Sequence, residues 1–341
     1  MAKTWIISLA LVLALSACTE NGSDSGTDAA STGLSDLLTY GAATDCVPWE
    51  VAPLASHRGF VCERSDGYRF IAEIPQDGII TSAVMVLQGA IPVERTRGLI
   101  SNNAPTERLQ ETLFISLEAR TYSVVGGLAA TPLWNGSGER SARDNGCCVN
   151  SGLSDRAFVV QVANELRAVF PSIPVFLAGF SNGGMLAIDL MYNESLEIDH
   201  YFIAMASDQT TDRINDHIEA SVSLIAVRDD DVIPFAGGPI ALSFALGAIN
   251  AENPFVTAPA FMDTLDDLKQ IKGCAPGAPV QMSELGQGTI TDYHCDEGTL
   301  TTFVLEHGGH RLGSPSLLAR TPQRQDVIGY LLQRIDEQLA E

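Results

Sequence analysis

Short apolar runs and stretches of helical periodicity alternate along this chain. Gly67 to Pro75 (GYRFIAEIP) alternates apolar and polar side chains, the pattern of an outer strand with one face buried. Thr81 to Gln88 (TSAVMVLQ) is largely apolar, ends at Gly89 and reads as a central strand. A helical stretch near Pro105 to Glu111 leads into another strand at Thr112 to Leu117. Asp155 to Val169 places Phe158, Val159, Val162, Leu166 and Val169 on one helical face. The run from Val175 is apolar as a buried parallel strand must be, and an alanine- and leucine-rich helical pattern follows it at once. An apolar segment at Tyr201 to Ala206, strands at Val222 to Val227 and Leu300 to Leu305, and an amphipathic helix over Thr321 to Leu339 complete the series. Strands alternating with helices predict an α/β fold: a mostly parallel, doubly wound sheet with helices on both faces. In such a sheet the active site lies at the carboxyl ends of the strands. No internal repeat is visible.

Between the run from Val175 and the helix after it stands Gly179-Phe180-Ser181-Asn182-Gly183, a Gly-x-Ser-x-Gly in strand–turn–helix context. A serine on so sharp a turn has strained dihedrals, and the two glycines leave the space that side chains would fill. Ser181 is thereby exposed above the carboxyl edge of the sheet. The N–H of Asn182, at the helix start, points at a developing oxyanion.

A serine hydroxyl needs a base to take its proton and an acid to orient that base. After the strand ending at Val227 comes Arg228-Asp229-Asp230-Asp231-Val232-Ile233-Pro234-Phe235, and after the strand ending at Leu305 comes Glu306-His307-Gly308-Gly309-His310. Acid and base candidates thus follow the serine in the order Ser, Asp, His, each at a strand exit. Spacing alone does not choose among Asp229, Asp230 and Asp231, or between His307 and His310. The two unchosen aspartates read as solvated loop charges, and the unchosen histidine as a surface or supporting residue. The spacing, 49 residues from Ser181 to the middle aspartate and 80 from there to His310, leaves limited room for a large lid.

Composition narrows the setting. With 341 residues, 45% of them hydrophobic, one large α/β domain suffices. A net charge of −22 and a pI near 4.5 argue against nucleic acid or an anionic membrane surface as partner. Lysine occurs only as Lys3, Lys269 and Lys272. Residues 1–17 read as a signal peptide, with a charged start and an apolar stretch from Trp5 to Ala14 too short to span a bilayer permanently. Leu15-Ser16-Ala17-Cys18 resembles a bacterial lipobox, which implies cleavage before Cys18 and lipidation of that cysteine. The alternative is an ordinary secretory signal cut nearby. Thr19 in place of an aspartate points to outer-membrane attachment in a bacterial cell envelope. Residues 18–33 then form a flexible tether and 34–341 a single catalytic domain.

Taken together these segments resemble the α/β-hydrolase esterases that include extracellular polyhydroxybutyrate depolymerases, feruloyl esterases and acetyl xylan esterases. Gly179-Phe180-Ser181-Asn182-Gly183-Gly184-Met185 corresponds to the family's elbow. Asp230-Asp231-Val232-Ile233-Pro234-Phe235-Ala236-Gly237-Gly238 corresponds to its acid loop and selects Asp230. His307-Gly308-Gly309-His310 corresponds to its Gly-Gly-Gly-His and selects His310. Trp134-Asn135-Gly136, the vicinal Cys147-Cys148 and Ser154 to Phe158 match a subgroup. The match runs from about Tyr68 to Gly313. It departs at Gln88-Gly89, where the family has His-Gly and where the turn supplies the second oxyanion N–H from Ala90 or Ile91. It departs also at His310-Arg311-Leu312-Gly313, where the family has His-Thr-Trp-Pro-Gly, and at Ala226-Val227-Arg228 before the acid, where it has His-Gly-Thr.

The resemblance implies a serine carboxylesterase with Ser181, His310 and Asp230 as triad and Asn182 and Ala90 as oxyanion donors. Its substrate would be an ester, polymeric in the manner of a polyester or a plant cell-wall ester. No cofactor is called for. Trp134 either walls the substrate pocket or anchors a loop in the core. Apart from Cys18, six cysteines remain. The family often bridges the Pro/Gly-rich segment bracketed by Cys274 and Cys295. Cys46 and Cys62 can pair locally, with Cys147 and Cys148 forming a vicinal pair or crossing to them. His57, His200, His217 and His294 show no metal-ligand spacing, so no metal is assigned. Two other functions stay open: a non-catalytic binding lipoprotein on a decayed hydrolase fold, motivated by Gln88 and Arg311-Leu312, and a thioesterase or peptidase on the same triad.

Overall fold

Continuous apolar runs form the middle of the sheet because both faces of a parallel sheet are covered. The computed structural model describes residues 34–40, 45–49, 56–65, 67–89, 110–124, 128–132, 134, 155–208, 210, 213–240, 257–276, 281–310 and 322–339. The strands, in chain order, begin with β1 (Cys46–Trp49), β2 (His57–Glu63), β3 (Arg69–Pro75), β4 (Ser82–Leu87) and β5 (Thr112–Glu118). There follow β6 (Thr121–Val124), β7 (Leu128–Pro132), β8 (Val175–Phe180), β9 (His200–Ala204) and β10 (Ser221–Val227). The last are β11 (Gly238–Pro239), β12 (Thr257–Ala258), β13 (Gln281–Leu285), β14 (Gly288–His294) and β15 (Thr299–Leu305). The helices are α1 (Leu34–Tyr40), α2 (Asp155–Val169), α3 (Asn182–Asn193), α4 (Phe261–Ile271) and α5 (Pro322–Leu339).

Among the described residues, eleven strands form one sheet in the order β1-β2-β3-β5-β4-β8-β9-β10-β15-β14-β13. The six from β5 to β15 run parallel, and antiparallel strands flank them on both edges. The crossing of β4 and β5 and the direction of β3 are those of the α/β-hydrolase fold. One face of the sheet, with Met85, Leu87 and Leu177, packs on α2 and α3 through Phe158, Leu166, Leu186 and Leu190. The other, with Val84, Phe176, Phe202 and Phe303, packs on α5 through Tyr330 and Leu331.

Two segments differ from the sequence reading. The stretch between Cys274 and Cys295 is no plain Pro/Gly loop but carries the hairpin β13–β14. Its outer strand is exposed along nearly its whole length, so it lacks the apolar alternation that announces a strand. Gln110 and Glu111 form a turn rather than a helix end, and the rest of the helical stretch expected there lies outside the described residues. The signal peptide, Cys18, the tether, Ala90, Cys147, Cys148 and Arg311-Leu312 also lie outside them. Disulfides join Cys46 to Cys62, across the β1–β2 register, and Cys274 to Cys295.

His200, at the start of β9, is fully buried and accepts or donates at Nε2 to Ser223 Oγ at 2.7 Å. Burial, reinforced by the Arg334 charge, pushes its pKa down to about 3. In the unfolded chain an imidazole titrates near 6.5. Between those limits the unfolded state holds one more proton than the folded one. This residue's contribution to stability is therefore complete above pH 6.5 and is lost as pH falls. The stability gap between wild type and His200→Gln is expected to shrink on acidification by about 1.4 kcal/mol per pH unit below pH 6. Urea unfolding at pH 7.5, 6, 5 and 4.5 checks this, and a pH-independent gap refutes it.

Candidate active site

The elbow's residue types follow from contact distances. Ser181 has φ 53° and ψ −121°, a left-handed backbone that costs about 1–3 kcal/mol and is held here by its surroundings. A Cβ on Gly179 would lie 2.6 Å from Gly183 O, and one on Gly184 would lie 2.6 Å from Ala206 Cβ. A Cβ on Gly183 would run into the carbonyls of Leu87 and Gln88. All three positions therefore admit only glycine. The Ser181 N–H donates to Ala204 O at 2.9 Å, which pins the elbow to the end of β9. Asn182 opens α3, so its N–H has no acceptor within the helix.

Ser181 at the end of β8, Asp230 after β10 and His310 after β15 come together above the carboxyl edge of the sheet. Ser181 Oγ lies 2.8 Å from His310 Nε2, and His310 Nδ1 lies 2.8 Å and 3.0 Å from the two Asp230 oxygens. An ionised Asp230 can only accept, so Nδ1 carries the proton and Nε2 is free to take the serine's. Asp230 and His310 are both buried, and Asp230 Oδ1 also accepts the N–H groups of Val232 at 2.9 Å and Ile233 at 2.8 Å.

The ambiguity left by spacing is resolved here. His307 is 81% exposed and faces Asp229, whereas His310 is 5% exposed and faces Ser181. Asp229 and Asp231 are exposed loop charges as expected, and each also ties down the base loop. Asp229 accepts the Gly309 N–H at 2.9 Å and Asp231 accepts the His310 N–H at 3.2 Å. Arg228 Nε donates to Glu306 at 2.8 Å, a further tie between the acid and base loops. Sequence reasoning missed these because exposed loop charges look alike until the loops are brought together. Asp208, another buried carboxylate, follows β9. Burial pushes its pKa up, and it pairs with Arg213 while both ring nitrogens of His310 are committed elsewhere.

Of the two roles left open for Trp134, the structure shows the anchor in the core. It is 3% exposed and stacks on Phe158 with ring centroids 6.4 Å apart. Its backbone N–H donates to Asn182 Oδ1 at 2.6 Å and its carbonyl accepts from Asn182 Nδ2 at 3.0 Å. Its indole N–H donates to Gln88 O at 2.9 Å. Its polar atoms are spent on the elbow and on the end of β4, which draws the ring into the protein. The Gln88 side chain is buried, and neither amide atom finds a partner among the described residues. The second oxyanion donor assigned to Ala90 lies outside the described residues.

Beside Asp230 a mostly apolar cleft is lined by Met205, Ile233, Pro234, Phe235, Pro259 and Phe261. Phe235 and Phe261 stack with centroids 5.0 Å apart. His217, Glu219 and Glu297 have ligating atoms within 4.8 Å of one another, but they are exposed and sit at the amino ends of β10 and β15, opposite the triad.

No family model and no curated protein matches the chain. Among solved structures, esterase PE8 aligns at 16% identity and TM-score 0.46, over 78% of this chain and 96% of that one. A carboxylesterase from Mesorhizobium loti aligns at 12% identity and TM-score 0.46, over 81% and 98%. MGS-M1, an α/β hydrolase from a Medee basin deep-sea metagenome library, aligns at 9% identity and TM-score 0.48, over 87% and 99%. Likeness at this level says nothing about a substrate. The strand order seen here makes this an α/β-hydrolase fold, and that fold carries a serine, a histidine and an aspartate in hydrogen-bonded line at its carboxyl edge.

Proposed function

We propose that the protein is a serine carboxylesterase working through an acyl-enzyme. The observation that carries this reading is the unbroken line from Asp230 through His310 to Ser181 Oγ, with strained backbone at the serine alone of the three. Ser181 Oγ attacks the ester carbonyl carbon as His310 Nε2 takes its proton, and Asp230 balances the imidazolium. The carbonyl oxygen becomes an oxyanion that the N–H of Asn182 stabilises, with Ala90, to which the family resemblance assigns the second N–H, as the other donor of this reading. The carbon–oxygen bond to the alcohol then breaks, and the alcohol leaves with the proton from Nε2. Water, deprotonated by the same nitrogen, attacks the acyl carbon, and Ser181 recovers its proton as the acid departs.

The motif correspondence supports a likeness to polyhydroxybutyrate depolymerases and feruloyl esterases, with a polyester or cell-wall ester as the proposed substrate class. The Leu15 to Cys18 segment supports attachment to a bacterial envelope membrane through lipidated Cys18.

The test is hydrolysis of p-nitrophenyl acetate and butyrate, beside matched thioester and anilide substrates, with diisopropyl fluorophosphate labelling read by mass spectrometry. Turnover of the oxygen esters and one label on Ser181 are expected. Faster turnover of the thioester or anilide reassigns the reaction. A folded protein that neither turns over nor takes the label is a scaffold on a hydrolase fold.

A further inference from the structure

We propose that Met205 is a positioning residue whose left-handed backbone holds the elbow at Ser181 against the strand that carries the acid; the inference rests on the esterase reading above. Among the described residues, Ser181 and Met205 are the only two besides glycines with positive φ, at 53° and 49°. The two are neighbours in the sheet. The β8–β9 register ends with Phe180 opposite Ala204, so Ser181 and Met205 are the next residue of each strand. A left-handed methionine is costly, and such residues persist only where the surroundings impose them. Ser181 owes its conformation to the elbow. Met205 bears no reacting atom, so its strain answers to a neighbour.

The peptide joining Ala204 to Met205 shows which one. Its carbonyl accepts the Ser181 N–H at 2.9 Å and its N–H donates to Ile225 O at 2.8 Å. One peptide plane thus ties the elbow to β10, the strand that leads into Asp230. The Arg228 N–H then donates to Leu305 O at 2.9 Å and carries the tie on to β15, the strand before His310. At Met205 the chain has to leave β9. An extended residue would take it about 3.3 Å further along the strand, out over the edge where the triad stands. The left-handed turn instead sets Ala206 against the first turn of α3. A Cβ on Gly184 would lie 2.6 Å from Ala206 Cβ and 3.4 Å from Ala204 O. The elbow is therefore held by both neighbours of Met205, at Ser181 by Ala204 and at Gly184 by Ala206. The Met205 side chain is buried in one cluster with Phe180, Ile225 and Val227, which secures the turn from below.

Three variants separate the turn from the side chain. Met205→Gly deletes the side chain and adopts the turn without its cost. Met205→Ala deletes the side chain and keeps the cost. Met205→Val keeps apolar bulk, but its branched Cβ opposes positive φ. On p-nitrophenyl butyrate, Met205→Val is expected to lower kcat by about 10- to 100-fold with KM within about twofold, while the other two stay within about threefold of wild type. Met205→Gly should melt above Met205→Ala, because glycine relieves the strain. Val162→Ala, a core truncation on α2, lowers the melting temperature and should leave kcat unchanged, so lost stability alone does not mimic the effect. With an active wild type, three results refute the proposal and leave the esterase reading standing. In the first, Met205→Val keeps kcat within threefold; in the second, Met205→Gly loses as much kcat as Met205→Val or more. In the third, KM rises while kcat holds, which makes Met205 a substrate contact. Should Met205→Val fail to fold, Met205→Gly melting above Met205→Ala with kcat kept in both upholds the proposal, and any other order refutes it. If the wild type neither turns over nor takes the fluorophosphate label, the esterase reading fails and this proposal with it.

Discussion

Ser181→Ala is expected to lower kcat on p-nitrophenyl butyrate by about a million-fold, His310→Ala by about as much, and the double variant by no more than either. The reason lies in how the two groups are joined. Ser181 Oγ is nucleophilic only while it transfers its proton to His310 Nε2, 2.8 Å away, and the imidazole has no other task in the first step. Removing either leaves the same broken unit, so the losses do not add. Activity that survives, about a thousandfold above the uncatalysed rate, comes from the oxyanion donors and substrate binding. Steady-state kinetics on highly purified variants, with active sites counted by fluorophosphonate titration, provides the measurement. A Ser181→Ala protein within tenfold of wild type would place the nucleophile elsewhere, and additive losses would show that the two act independently.

Asp230→Asn is expected to cost about ten-thousand-fold in kcat. An asparagine amide placed at the Asp230 oxygens, 2.8 Å and 3.0 Å from Nδ1, can offer an N–H to that nitrogen. The imidazole then takes the other tautomer, with a proton on Nε2 where the serine's must arrive. The carboxylate that balances the imidazolium is lost as well. Asp229→Asn and Asp231→Asn should stay within about tenfold of wild type, because the bonds they accept from the Gly309 and His310 N–H groups suit an amide oxygen as well. Equal effects at all three positions would overturn the assignment of Asp230. All three variants should melt close to wild type, so that the comparison reads chemistry rather than folding.

Much of this site was legible in the chain. Gly179, Gly183 and Gly184 mark positions that a Cβ would close, against the elbow's own backbone at Gly179 and against the end of β4 and Ala206 at the other two, and the Gly-x-Ser-x-Gly pattern records the turn in consecutive residues. Asp230 and His310 could be narrowed to two short loops because each follows an apolar run long enough to be a buried strand. The hairpin β13–β14 was not legible. It packs on one side only, at the sheet's edge, and its polar outer strand has no periodicity to reveal it. The role of Trp134 was not legible either, since a buried indole and a pocket wall leave the same mark in a sequence.

What the sequence alone determined about this protein is therefore local: the parallel core, the elbow at Ser181 and the order of serine, acid and base. Apolar runs and glycines write those features into consecutive residues. The tertiary structure alone decided which aspartate and which histidine face the serine, and that Trp134 ties the elbow to β4. Those choices join residues 46 to 129 positions apart, and only the folding of the chain brings them to one edge of the sheet.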